Sequence, residues 1–381
     1  MTPAHTHPTL DEASFGEQVE RHRRELHVHC YRMLGSFEES EDLVQETFLR
    51  AWRRRHTYEG RAPIRAWLYK IATNACLDAL DKRPRQASPT GEVLWLQPYP
   101  DELLDELVAG DPEPDAAVVS KETIELAFLV AIQRLPPLQR AALIVRDVLG
   151  FSAKETAALL ETSVPAVTSA LQRARAGMSA HLPEHRLEWA PGTDPSSAER
   201  ELLERLVAHS EEPNVEALTQ LMHEELRFSM PPQPGVWQGR DVVVSSWVEG
   251  GFGSEAFGSL RLAITRFNRQ PALANYFREP GGREYVPLAL DVLRIAEGKV
   301  IEIVTFDGSL FESLGLPVRW RPGPPPPVLL GGGGCRAVRY SYCSAFSTSR
   351  REARRAGPMA ARTPATMATI VNPSREPTGT A

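Results

Sequence analysis

The segment Phe151–Arg175, FSAKETAALLETSVPAVTSALQRAR, constrains the fold more tightly than any other stretch of the chain. Ser152 and Glu155 have the spacing of a capping box, in which each side chain satisfies the other's free backbone amide at a helix start. Ala157, Leu160, Val164, Val167 and Leu171 follow as an apolar stripe at helical spacing, with Glu161, Thr162 and Ser163 as a turn. Pro165 falls in the first turn of a second helix, where its missing N–H costs little. Two short helices around a tight turn are expected. The second presents Ser163, Ala166, Thr168, Ser169, Gln172, Arg173 and Arg175, side chains that can meet phosphates and base edges in a major groove. An ordinary αα-hairpin in a helical domain has the same spacing.

Two upstream blocks extend the helical reading, CYRMLGSFEESEDLVQETFLRAWRR from Cys30 and YEGRAPIRAWLYKIATNACLDALDKR from Tyr58. Val44, Phe48 and Trp52, at i, i+4 and i+8, predict one buried face. The opposite side carries Glu41, Asp42, Gln45 and Glu46 and suits a basic partner. In the next helix Leu68, Ile71, Ala72, Ala75 and Ala79 are expected inside, and Lys70, Thr73, Asn74 and Asp78 outside. Trp67 and Tyr69 lie near its start, beside Arg61, Arg65 and Lys70. Aromatic rings next to basic groups can stack unpaired bases and capture their backbone. Core packing of Trp67 and Tyr69 is the alternative.

Taken together, these blocks resemble the extracytoplasmic-function sigma factors of bacterial RNA polymerase over roughly residues 15 to 180. EDLVQETFLRAW (Glu41 to Trp52) resembles the helix that docks on the polymerase clamp, which implies a core-binding role for Asp42, Gln45 and Glu46. IRAWLYKIATNACLD (Ile64 to Asp78) resembles the reader of the minus-10 element, implying DNA contacts by Arg61, Arg65, Trp67, Lys70 and Asn74. IQRLPPLQRAALIVRDVLGFSAKETAALL (Ile132 to Leu160) resembles the start of the minus-35 domain. Many members carry basic residues in the recognition helix where this chain has Thr168 and Ala170, so Arg173 and Arg175 must do more. The implied partners are core RNA polymerase, through its clamp, and promoter DNA. An anti-sigma factor is a further partner the family admits, though no residue here identifies one. No cofactor, metal or catalytic residue is expected.

Charge fits a reader that works on a larger machine. Residues 1 to 187 carry 22 Lys plus Arg against 27 Asp plus Glu, a net of −5, whereas a free DNA-binding domain usually shows a basic footprint. Weak duplex binding by the chain alone is expected. Ten acidic residues and one basic fall between Glu92 and Glu125, among Pro98, Pro100, Pro112 and Pro114, as in a linker with extended pieces. The resemblance implies that this segment threads the basic RNA-exit path; an acidic surface loop would look alike.

After the polar break WAPGTDPSSAE at Trp189 the texture changes. Residues 199 to 227 are expected as amphipathic helices ending in HEELRFSM. The apolar runs VVVSSWV, LRLAITRF, ALANYF and VPLALDVLRIAEGKVIEIVTFDG are expected as strands, the last a hairpin turning at Glu297 and Gly298. The pattern predicts an α+β cone of curved antiparallel sheet and resembles the SnoaL-like branch of the nuclear-transport-factor-like fold. His223, Trp247, Arg266, Tyr276, Asp291 and Asp307 could line its pocket, and acid–base catalysis, small-ligand sensing and protein contact are all open to it. The last 51 residues, 331 to 381, carry eight arginines and two glutamates beyond a Pro/Gly-rich stretch, as in a disordered tail.

The expected organisation is therefore multidomain: two all-α domains, at 15–86 and, with the helix-turn-helix, at 123–182, joined by an acidic linker at 87–122; a cone at 197–318; and a tail at 319–381. The four cysteines of this 381-residue chain are too scattered for a disulfide framework. Cys30, next to His29 and three residues after His27, reads as a metal or redox site or as a small core residue. No apolar run spans a bilayer and the start lacks signal-peptide character, so a cytoplasmic chain without membrane contact is expected. A promoter-specific initiation factor modulated by a fused cone is the principal reading. The other is a stand-alone helix-turn-helix regulator whose cone binds a small ligand.

Overall fold

The computed structural model describes residues 12–58, 63–83, 96–110, 125–181, 196–254 and 256–320. Arg61, Cys335, Cys343, the rest of the acidic linker and the tail after Trp320 lie outside them. Helices come first: α1 (Glu12–Glu20), α2 (Arg23–Leu34), α3 (Phe37–Arg54), α4 (Ile64–Lys82), α5 (Asp101–Gly110), α6 (Leu126–Gln133), α7 (Pro137–Leu143), α8 (Ala153–Leu159) and α9 (Val164–His181). A π-helical turn, Ile144–Val148, links α7 to the loop before α8. No described helix is long and apolar enough to cross a membrane.

α2 is the axis of this helical body. Every residue from Leu26 to Leu34 is buried, although the segment includes His27, His29 and Arg32. One continuous core runs from α1 through α2, α3 and α4 to α7, α8 and α9. Buried polar atoms need partners, and several here find them across the body. His29 Nε2 lies 2.9 Å from Thr73 Oγ1 on α4, and Gln133 Nε2 donates to the Arg32 carbonyl at 2.9 Å. Buried Arg140 of α7 donates to the carbonyls of Met33, Gln133 and Leu135. Burial lowers the Arg140 pKa to about 9 and that of Arg32 to about 10. Burial also lowers His27 to about 4 and His29 to about 3, so both rings are neutral. Cys30 and Cys76 are free and buried, and no metal-binding cluster of His, Cys, Asp or Glu occurs among the described residues.

The second half contains α10 (Ser197–Glu211), α11 (Val215–Gln220), β1 (Met222–Met230), β2 (Gln233–Gln238), α12 (Arg240–Glu249), β3 (Ser259–Phe267), β4 (Gln270–Arg278), β5 (Val286–Ala296) and β6 (Lys299–Asp307). The sheet order is β2-β1-β6-β5-β4-β3, antiparallel except for the parallel pair β1 and β6. The hairpin turns at Glu297 and Gly298 as expected, both at positive φ, between paired Ala296 and Lys299. Two expectations fail. HEELRFSM lies in strand β1 rather than closing a helix, and VVVSSWV lies in α12 rather than a strand. In α12 only Val243 and Val244 are buried, while Val242 and Val248 are exposed, a one-sided pattern that an apolar run conceals.

Candidate nucleic-acid interface

The capping box at the helix pair forms in full: the Glu155 amide donates to Ser152 Oγ at 3.2 Å and the Ser152 amide to Glu155 Oε2 at 2.8 Å. Ala157, Leu160, Val167 and Leu171 are buried as the stripe requires, but Val164 is 41% exposed. It occupies the first position of α9, before that helix meets the body; Ala170 and Ala174 complete the seam instead. Ser163, Thr168, Ser169, Gln172, Arg173 and Arg175 are exposed, and Ala166 is half-buried. Arg175 makes a two-pronged pair with Asp147, at 2.8 and 2.9 Å. Arg173 makes no ion pair among the described residues.

On α3 the buried line is Ser40, Val44, Thr47 and Ala51. Phe48 is half-buried and Trp52 is 37% exposed, so the expected Val44, Phe48, Trp52 face is rotated. Asp42 and Gln45 are exposed. Glu46 accepts from Arg50 at 2.9 Å, and Arg50 also reaches Asp78 at 2.9 Å, which partly neutralises that end of the acidic face.

The α4 residues are engaged within the chain. Arg65 Nε donates to Glu25 at 2.8 Å, and its guanidinium sits 5.1 Å from the Tyr69 ring centre. Trp67 packs against Tyr58 and Phe15, at 5.4 and 6.3 Å between ring centres. Tyr69 is buried and donates to Glu25 at 3.0 Å. Thr73, expected outside, is fully buried because its hydroxyl is taken by His29 and by its own helix. Asn74 is half-buried. Lys70 Nζ lies 3.0 Å from Glu161 Oε1 in the turn between α8 and α9. The two candidate reading surfaces are thereby tied to each other, and Tyr69 meets Phe151 edge-on at 5.9 Å.

Comparison with known proteins gives this body a family. Residues 18–86 match the model "Sigma-70 region 2" and residues 125–178 the model "Sigma-70, region 4". The chain is 38% identical over 321 residues to the ECF RNA polymerase sigma factor SigG of Mycobacterium tuberculosis, covering 80% of this chain and 84% of that one. The chain belongs to the ECF sigma factors. It is 29% identical to SigJ of the same organism over 74% of its own length and 88% of SigJ. The SigJ crystal structure superposes with a TM-score of 0.51 at 25% identity, over 81% of this chain and all of that one. As a sigma factor the chain directs transcription initiation, and the family consists of initiation factors rather than enzymes. Its C-terminal part, residues 196–254 and 256–320, carries the helices and curved sheet of the α+β cone that the sequence leads one to expect.

In this sigma factor the cone, the start of the linker and both sigma regions share one seam. Val28 and Tyr31 of α2, Leu96, Tyr99 and Leu104, Leu126 and Leu129 of α6, and Phe267 of β3 belong to one buried cluster with the cone's strands. The β3–β4 turn supplies its polar contacts. Asn268 Nδ2 donates to Tyr31 Oη at 2.9 Å, and Asn268 Oδ1 accepts the Tyr99 amide at 2.8 Å. Gln270 Oε1 accepts the Leu126 amide at 3.1 Å, and the Arg269 amide donates to Asp101 Oδ1 at 2.7 Å. Asp101 is buried, with Arg266 Nε 3.4 Å from its other oxygen. Burial raises its pKa to about 6 against the opposing pull of Arg269 and Arg266. Sequence reasoning missed this constellation. The available signal was Asn-Arg between two apolar runs: both residues take positive φ, as a tight hairpin turn requires.

The candidate pocket residues separate. Trp247 and Asp291 line a cavity of about 730 Å³ in the cone. Arg266 lies in the seam, and Tyr276 packs on the seam side against Phe311 and Trp320. His223 does not line the cavity; its Nδ1 accepts from the Glu225 amide at 3.2 Å. Asp307 caps the turn at Ser309. His223 and Asp291 therefore do not form an acid–base pair across one cavity.

Proposed function

We propose that this sigma factor docks on core RNA polymerase through the α3 face at Asp42, Gln45 and Glu46 and reads promoters with α4 and α9, while the cone clamps the two reading regions together. Within the bacterial cytoplasm the chain would then alternate between a closed body and an open, promoter-reading one. The observation that carries the clamp is the β3–β4 turn: three consecutive residues bond to α2, to the 96–101 segment and to α6. Lys70, a candidate reader of the minus-10 element, is meanwhile paired with Glu161 of the other reading unit. The domain boundaries 15–86, 87–122, 123–182, 197–318 and 319–381 describe this division, with the early linker serving as packing material in the closed body.

Run-off transcription with purified core polymerase on genomic fragments tests both parts. The full chain should direct initiation, and Asp42→Arg with Glu46→Arg should weaken core binding with little loss of fold, because exposed ion pairs contribute less than about 1 kcal/mol. Unchanged core affinity would reject the docking face. Asn268→Ala and Gln270→Ala should raise promoter output by loosening the clamp. A fall in output, with core affinity intact, would make the cone a support of the open form instead.

A further inference from the structure

The cone's cavity has a one-sided chemistry. Its volume of about 730 Å³ falls within the range of small-molecule sites, roughly 300 to 1,000 Å³. Phe228, Trp247, Phe252, Phe257 and Phe277 supply aromatic surface on several sides. The charged groups among the lining residues are Glu279, Glu284 and Asp291, with no lysine, arginine or histidine. The two glutamates are on segments next to β4 and β5, whereas Asp291 lies within β5 among apolar neighbours.

The Asp291 carboxylate is fixed from two sides. Thr305 Oγ1 donates to Oδ1 at 2.5 Å and Asn275 Nδ2 donates to Oδ2 at 2.8 Å, so each carboxylate oxygen has one partner from the sheet and further accepting capacity. Both neighbours line the cavity as well. Burial raises the Asp291 pKa, and these two hydrogen bonds pull it back down. A carboxylate in apolar surroundings is costly unless a cation or donor compensates it, and an anionic guest would add repulsion. Aromatic faces further favour a cation that has shed its water.

We propose that the cone is a binding site for an apolar amine, a molecule with an aromatic or polycyclic body and one protonated nitrogen that donates to Asp291. The site stands on the cavity itself; only its influence on transcription rests on the clamp reading. The route for that influence is short. Leu273, Asn275 and Phe277 of β4 line the cavity, while Ala272, Ala274 and Tyr276 of the same strand belong to the seam cluster, and β4 begins at the clamping turn.

Three probes sharing one body test the proposal on the full chain: 9-(aminomethyl)anthracene, 9-anthracenemethanol and 9-anthracenecarboxylate, followed by anthracene fluorescence polarisation. The amine should bind about tenfold tighter than the alcohol, the ratio expected when a charged hydrogen bond replaces a neutral one. The carboxylate should bind more weakly than either. Asp291→Asn should erase the preference for amine over alcohol while alcohol binding persists, which also reports that the cone is folded. Equal binding of amine and alcohol by the native chain, binding of the carboxylate as tight as the amine, or no binding of any probe would overturn the site without recourse to the variant. Amine binding that leaves promoter output unchanged would support the site and count against the clamp.

Discussion

The two faces of the cone's sheet are made by the same strands and have opposite fates. On one face Ala272, Ala274 and Tyr276 join Leu290, Val292 and Phe306 in a cluster closed by Phe311, Trp320 and the helical body. On the other, Leu273, Asn275 and Phe277 join Asp291, Leu293, Ile303 and Thr305 around open space. Strand alternation puts residues of both sets on each of β4, β5 and β6. The small Ala272 and Ala274 bring backbone close to what covers them, so the first face packs shut; the second, rimmed by bulky rings and floored by a hydrogen-bonded carboxyl, keeps a cavity. A face that is filled transmits force to what fills it, and a face left open can receive a guest. Under the proposed clamp, a guest in the open face would act on the sigma regions through β4, which carries residues of both faces.

The largest expected contrast comes from removing one ring on each side. Phe267→Ala, in the filled seam, should cost about 3 to 5 kcal/mol, whereas Phe277→Ala, facing the cavity, should cost under about 1 kcal/mol because its neighbours already leave space. Denaturant unfolding of the two variants measures the difference; similar costs would mean that the cavity wall is as tightly packed as the seam.

Acid should separate helical body from cone. His27 and His29 have folded pKa values of about 4 and about 3, below the ordinary histidine value, so as pH falls below about 6.5 the unfolded chain takes up protons the native chain refuses. Each histidine then removes up to about 1.4 kcal/mol of stability per pH unit. Asp291 acts in the opposite sense, since its pKa is raised on folding and its contribution is lost as pH rises rather than as it falls. Hydrogen-exchange protection at pH 5, corrected for the slower intrinsic exchange, should therefore fall first in α2, with β4 to β6 less affected. Earlier opening of the cone strands would break this contrast.

A smaller effect is expected at Asp101. Its pKa of about 6 means that its contribution is present at low pH and is lost as pH rises through that value. Asp101→Asn keeps an acceptor for the Arg269 amide, so at pH 5 it should change stability by less than about 1 kcal/mol. Between about pH 4 and pH 6 the variant should lack the decline in stability that Asp101 gives the native chain. An unchanged pH profile would show that Asp101 does not titrate in the seam. The smallest effect belongs to Lys70→Ala, which removes a partly exposed pair worth about 0.2 to 1 kcal/mol. A larger loss of body stability would shift the closing force from the seam to the direct contact between reading units.

Much of the candidate interface was legible locally. A capping box, a proline in a first turn and an apolar stripe are short-range signals, and α8 and α9 form where those signals put them. The hairpin at Glu297 and Gly298 was legible for the same reason, since only a few residue types accept positive φ. Reading failed where one-dimensional hydrophobicity had two solutions: VVVSSWV is apolar enough for a strand, yet α12 buries only Val243 and Val244. HEELRFSM has helix-forming residues but becomes β1, because pairing with β2 and β6 outweighs a weak local preference.

By itself, then, the sequence determined the elements whose signals are local, and its motifs determined the family. The tertiary structure alone decided which polar groups are inside. Arg-Arg-Glu-Leu-His-Val-His-Cys-Tyr-Arg is rich in charged and polar residues, yet α2 is enclosed by α3, α4, α6, α7 and the seam because Tyr99, Thr73 and Gln133, 44 to 101 positions away, supply partners for its polar groups. The acidic segment after Leu96 reads as solvated linker, yet Tyr99 and Asp101 are buried because Asn268 and Arg269 meet them across the seam. Burial of a polar group depends on a partner that only the folded chain brings within reach, and no local pattern encodes that encounter.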